Sequence, residues 1–257
     1  MGIILFKDVE IGQVPKTPAT PFPSSVAGNS SKIAAETLLK YAHQFGYPIS
    51  YIQEQEGQLF QNIVPVHKTE AQQISTSSKV ELAMHTETAF HPYKPDYVML
   101  LCLRGDPNAV TTYANVDEII KKLDLWVIAT LTKQWFTTNI DISFRTKGQR
   151  DKSIPISVLE KTEDGYNFIY DYTFVKANDE LSRAALEILH KAVQECVQEI
   201  TLQSGDLLVI DNNKTIHGRK PFQARYDGTD RWVQRVLVRK ELPPDDQIDG
   251  HVITTEF

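Results

Sequence analysis

Cysteine is nearly missing from this chain: Cys102 and Cys196 are the only two in 257 residues. Two cysteines exclude a disulfide framework and a cysteine-rich zinc module. Cys102 lies in an apolar strand-like run and Cys196 on a helical stripe, so both read as buried thiols. Long hydrophobic runs are also missing. The N-terminal apolar stretch covers only Ile3 to Phe6, too short for a secretory core or a membrane span. Phe6 also stands where a myristoylation signal requires Ser or Thr, so the expected location is cytoplasmic. Positive charge is not in excess: 27 Lys and Arg against 33 Asp and Glu give a formal charge of −6. Nucleic acid and acidic membranes are therefore poor partners for the chain. Gly105 lacks the neighbours of a phosphate-cradling loop, and no Ser or Cys nucleophile has a placed base.

What is present is the composition of a soluble globular protein, 41% hydrophobic and 23% charged. The length suits one core, and no repeat or linker divides it, so residues 1–257 are read as a single domain. The Pro/Ser/Gly-rich segment from Val14 to Ser31 reads as a surface or site-covering loop. A helix follows to Gly46, with Ile33, Ala34, Leu38, Leu39 and Ala42 on one stripe and His43 inside it. After Tyr97 strands dominate: "YVMLLCLR", "AVTTYANV", a hairpin around Glu163, Asp164 and Gly165, "DLLVIDNNKTIHGR" and "DRWVQRVLVRKEL". Short helices are expected in "ANVDEIIKKLD" and "IATLTKQWF". A longer one is expected from near Asn178, on a stripe running from Leu181 to Ile200. Strands on both sides of helical insertions, without an alternating strand-helix rhythm, predict a mainly β fold with a closed or sandwiched sheet.

The informative motif is "HTE". His85 and Glu87 are two apart, which puts them on one face of extended chain and on different faces of a helix. Alone the pair is weak, since seven histidines and 33 acids produce it by accident. His217, far downstream in "VIDNNKTIHGR", supplies a third donor. Two imidazoles and one carboxylate are the facial triad of non-haem iron oxygenases, which leaves coordination positions open for a 2-oxo acid and O2. Arg231 follows fourteen positions after His217, on a neighbouring strand, where its fork suits the distal carboxylate of a 2-oxo diacid.

Together, "HTE", "GDLLVIDNNKTIHGRKPF" and "DGTDRWVQR" resemble the motifs of the Fe(II)- and 2-oxoglutarate-dependent dioxygenases of the clavaminate synthase and taurine dioxygenase group. The resemblance runs from Leu82 to Lys240, about three fifths of the chain. It implies a distorted double-stranded β-helix, or jelly roll, with His85, Glu87 and His217 as iron ligands and Arg231 on the 2-oxoglutarate carboxylate. It also implies Thr111 near that carboxylate, with Thr112 as the alternative register. The chain looks particularly like a small branch acting on free amino acids, lysine among them, that contains hydroxylases and halogenases. Halogenases carry Gly or Ala where this chain has Glu87, so the resemblance implies hydroxylation. A carrier-bound or other small substrate, and a non-catalytic metal- and 2-oxo-acid-binding sensor, are the competing readings.

Arg235, four positions after Arg231, faces the same way in a regular strand, about 13 Å further on. It suits a substrate carboxylate, or else a salt bridge. Arg219 either faces the cavity or anchors a turn through a carboxylate. Asp211, Asn212 and Asn213 read as turn residues bonding to nearby backbone. His67 and His91 are weaker ligand candidates than packing residues, and His190 sits on a polar helix face. Phe90 and Tyr93 either cover the site or pack beneath a loop, and Trp232 reads as core.

Overall fold

A computed structural model describes residues 2–22, 29–141, 144 and 153–255. Part of the Val14–Ser31 loop therefore lies outside the described residues. The chain is mostly β, built on two sheets that enclose an apolar interior. The larger sheet has eight strands, in the order Ile3–Phe6, Leu207–Asp211, Tyr97–Arg104, Trp232–Arg239, Tyr47–Tyr51, Val252–Ile253 and Ile248–Asp249. Gln61–Ile63 also pairs with Trp232–Arg239. The smaller sheet runs Gln198–Ile200, Thr111–Asn115, Thr215–Arg219 and Leu82–His85.

Why the central strands read as unbroken apolar runs follows from their two covered faces. Met99, Leu101, Leu103, Leu207, Val209, Trp232, Val236 and Val238 point outward against Ala34, Leu38 and Ala42 of α1 (Asn29–Ala42). The alternate residues Val98, Leu100, Cys102, Leu208, Ile210, Val233 and Leu237 point inward, where Phe90 and Leu202 join them. Period-two alternation thus sorts one apolar run into two cores. Trp232 is outward core, as expected, and its indole N–H donates to Asn62 at 2.8 Å.

The smaller sheet has its own outer layer. Met84, Ala114 and Ile216 pack beneath α2 (Val116–Ile120), α3 (Leu125–Leu131) and α4 (Glu180–Cys196). Each fully buried Leu or Val in that layer contributes about 1.5–3 kcal/mol. Asp179 and Ser182 form a reciprocal capping box that starts α4.

Several boundaries differ from the sequence expectation. α1 begins at Asn29, two residues inside the predicted loop, and ends at Ala42, so His43 lies in the following turn. The helix expected across "IATLTKQWF" stops at Leu131. Thr130 and Thr132 turn their hydroxyls back onto the carbonyls of Trp126 and Ala129, and Phe136 opens a strand instead. α4 ends at Cys196, because Gln198–Ile200 leaves the helix to pair with Thr111–Tyr113. Cys102 is buried and Cys196 only half-buried, and both are free thiols. The C-terminal Val252–Ile253 joins the larger sheet beside Ser50 and Tyr51.

Candidate metal centre

His85 is the last residue of its strand and Glu87 stands just beyond it, in a tight turn where Thr88 takes φ 52°. The backbone there is in a left-handed conformation that β-branched residues seldom adopt. His217 lies directly across the ladder from His85, their rings 4.5 Å apart. The Glu87 carboxylate completes the group, with Oε2 3.6 Å from His217 Nε2 and 4.0 Å from His85 Nε2. One donor atom from each lies within 4.8 Å of the others, and among the described residues no other His, Cys, Asp or Glu group does this.

The donors fit ferrous iron. Two imidazole nitrogens and one carboxylate oxygen bind a single face of an octahedral ion and suit Fe(II). The Nδ1 of His85 lies 2.8 Å from the carbonyl of Ala83, which fixes Nδ1 as the protonated nitrogen and leaves the Nε2 lone pair for a metal. Burial, then His85, holds the His217 imidazole below its ordinary protonation range, so it stays neutral. Burial pushes the Glu87 carboxyl up, but Arg235, His217 and His85 outweigh it and hold the group far below the usual carboxylate range.

Asn212 holds Glu87 in place. Its side-chain oxygen accepts the Glu87 N–H at 2.8 Å, while its amide donates to the carbonyls of Glu87 at 3.1 Å and Pro95 at 2.9 Å. Asn212 occupies the corner between Leu207–Asp211, in the larger sheet, and Thr215–Arg219, in the smaller one. One corner therefore both clasps Glu87 and leads into His217. Gly218 is required for a different reason: a Cβ there would come within 2.5 Å of the Leu82 carbonyl. The close approach is what seats the His85 strand against His217.

The arginines approach from the larger sheet. Arg231, immediately before the Trp232–Arg239 strand, is buried and makes no hydrogen bond or ion pair among the described residues. Arg235 is buried on the same inward side and fully engaged. Its Nε donates to Gln61 at 2.8 Å, Nη2 to Glu54 at 3.2 Å and Nη1 reaches Glu87 at 2.9 Å. Burial alone would lower the Arg235 pKa, but Glu87 and Glu54 raise it instead. Thr111 lies directly opposite Arg219, and Tyr113 opposite His217, so Thr111 shares the metal-facing side. Thr112 turns the other way, toward Met84.

Two carboxylates escaped the sequence reading. Asp171 faces His85 through a backbone bridge, and its Oδ1 accepts the N–H groups of Thr173 and Phe174. Asp141 lies within electrostatic reach of Asp171, Glu87 and His85, and burial, then Asp171, pushes its carboxyl up to about 7. Glu54 and Gln61 were missed too. No spacing marks them, since each is brought in by a different strand or turn. The remaining candidates take packing roles: buried His91 lies tilted against Tyr51, exposed His67 lies against Tyr226, and His190 Nδ1 meets the Tyr170 hydroxyl at 2.6 Å. Phe90 lies in the inner core and Tyr93 packs against it.

Comparison with known proteins agrees with this geometry. An L-lysine 3-hydroxylase of Catenulispora acidiphila is 32% identical over 245 residues, covering 92% of this chain and 67% of that protein. An L-asparagine oxygenase of Streptomyces coelicolor is 33% identical, covering 88% and 67%. Among solved structures, asparagine oxygenase with Fe(II), 3-hydroxyasparagine and succinate superposes with a TM-score of 0.86 at 31% identity, over 99% of this chain and 80% of that one. The non-heme iron oxygenase OrfP with Fe and alpha-ketoglutaric acid gives 0.85 at 31% identity, over 94% and 76%. Residues 30–237, which include all three donors and both arginines, match one family, and the chain belongs to it: the taurine catabolism dioxygenase TauD, TfdA family.

Proposed function

We propose that this protein is an Fe(II)- and 2-oxoglutarate-dependent hydroxylase of a free basic amino acid, L-lysine first, releasing succinate and CO2. The proposal includes a jelly-roll fold, one dioxygenase domain over residues 1–257 and cytoplasmic residence. The observation that carries it is the combination of a two-histidine, one-carboxylate donor set with a buried guanidinium, Arg231, that has no hydrogen-bond or ion-pair partner among the described residues. His85, Glu87 and His217 would hold the iron, which when bound activates O2 with the help of a chelating 2-oxo acid. The chain's own residues do the placing. Arg231 would grip the distal carboxylate of 2-oxoglutarate, with the Thr111 hydroxyl beside it.

For the substrate, Arg235 and Glu54 lie side by side and complement the carboxylate and ammonium of a zwitterion. Substrate would exchange for part of the existing Arg235 contacts with Glu54 and Gln61. Asp141 and Asp171 lie near His85 with their carboxyls pushed up by burial, and a cationic side chain brought beside them would draw both toward their ionised forms, which favours it over a neutral one. Enclosure between two sheets keeps water from the reacting carbon.

The test is substrate-dependent succinate formation across the free amino acids, with product mass analysis. Lysine or another basic amino acid should gain one oxygen. A carrier-bound amino acid gaining oxygen while every free one stays inactive would overturn the substrate assignment. Iron and 2-oxoglutarate binding with no turnover on either panel would favour the sensor.

A further inference from the structure

Arg219 is buried, yet no carboxylate of the described residues pairs with it. Its Nη1 donates to the Ser75 carbonyl at 3.0 Å, its Nη2 to the Ser77 hydroxyl at 2.9 Å, and the guanidinium lies 5.1 Å from the Phe222 ring centre. These contacts fix the plane of the fork and account for two of its nitrogens. The third, Nε, is shielded from solvent and has no hydrogen-bond partner. Anchoring of the Ser75–Ser77 segment explains the first two contacts and leaves the buried Nε–H unexplained. An unsatisfied buried donor is costly, and one on a cation more so.

The ladder says where that donor stands. Arg219 lies directly across from Thr111 and two residues beyond His217 in an unbroken register. Arg231 is likewise buried and unpartnered. Arg219 and Arg231 lie within electrostatic reach of each other. Asp106, the carboxylate near Arg231, is occupied by Arg225 at 3.6 Å and by the Asn108 N–H at 2.9 Å. Two buried cations with no counter-charge between them require an anion with acceptors for both.

The geometry points to Arg219 as a second positioning residue for the distal carboxylate of the 2-oxo diacid, acting beside Arg231 and Thr111. This rests on the cosubstrate reading above. A carboxylate has two oxygens and about four acceptor sites, enough for one fork, one hydroxyl and one further N–H. Arg219 thereby makes selection for a diacid stricter than a single arginine would.

The test compares equilibrium binding of 2-oxoglutarate and of 2-oxopentanoate, which has the same chain length without the distal carboxylate. Both are titrated anaerobically by calorimetry into the Fe(II)-loaded protein. Arg219→Gln should weaken 2-oxoglutarate at least tenfold and leave 2-oxopentanoate within twofold, so the preference shrinks by an order of magnitude. Arg219→Lys keeps the charge and should give an intermediate preference; it also serves where the glutamine variant does not fold. Ser77→Ala, which removes an anchor but no charge, should leave the preference unchanged. Equal weakening of both acids in the arginine variants, or no change in either, would reduce Arg219 to a loop anchor and overturn the inference. Failure of the unaltered protein to bind either acid would overturn the cosubstrate reading itself, and this inference with it.

Discussion

Replacing Asn212 with alanine should damage stability and metal binding together, although Asn212 touches no metal. Its side chain is wholly buried and makes three hydrogen bonds, two to Glu87 and one to Pro95. Asn212→Ala would strand one N–H and two carbonyls in the interior, each costing about 1–3 kcal/mol when left unsatisfied. The three share a neighbourhood and will not add fully, so about 3–5 kcal/mol is expected. That is a large part of the roughly 5–15 kcal/mol that holds a domain together, yet not all of it. Glu87 would also lose its fixed placement, at a cost of about 10–100-fold in Fe(II) affinity, typical when a supporting hydrogen bond behind a ligand is removed. Urea unfolding of the metal-free protein gives the first quantity and anaerobic Fe(II) titration the second. Asn212→Asp separates shape from hydrogen bonding: it keeps the acceptor for Glu87 N–H but turns a carboxylate toward two carbonyls. Burial should raise that carboxyl's folded-state pKa, so the variant would lose stability as pH rises above the ordinary aspartate range. Wild-type stability and iron affinity in both variants would refute the clasp.

His217→Ala removes one of three donors and should lower Fe(II) affinity by at least about 100-fold and abolish succinate formation, with far-UV circular dichroism little changed. Iron-dependent turnover in that variant would remove His217 from the centre. Asp141, pushed up to about 7 from 3.8 by burial and then Asp171, retains in the folded state a proton that the unfolded chain has lost. Stability of the metal-free protein should therefore fall as pH rises from about 4 to 7, and Asp141→Asn should flatten that slope. Denaturation midpoints at pH 5 and pH 8 decide this, and the same variant should raise KM for a basic amino acid.

The sequence showed the sheets more readily than the contacts between them. "YVMLLCLR" is apolar on both parities because both its faces are covered, and the alternation of Trp232, Val236 and Val238 with Val233, Arg235 and Leu237 separates two faces that the fold turns outward and inward. The helix ends were harder to read, since Thr130 and Thr132 are compatible with a helix until their hydroxyls turn back on its carbonyls. Two consecutive threonines, Thr111 and Thr112, look alike until a partner strand fixes which one faces inward. Asn212 is by residue type a local turn former, but its decisive partner Glu87 is 125 residues away. Glu54, Gln61, Asp141 and Asp171 carry no periodic signal, because the fold gathers them from separate segments.

His85 and His217 face each other across two strands whose pairing shifts beside Gly218. A slip of one residue in either strand would turn one imidazole onto the face packed under the helices and leave the other pointing inward alone. Such a misregistered chain could keep most of its apolar burial and escape detection by compactness. It would have no metal site, so free ferrous iron would stabilise only the correctly registered molecules, by RT ln(1 + [Fe]/Kd). The ion that the chemistry requires would thus also act as a proofreader of folding, selecting the one strand alignment in which the two histidines meet.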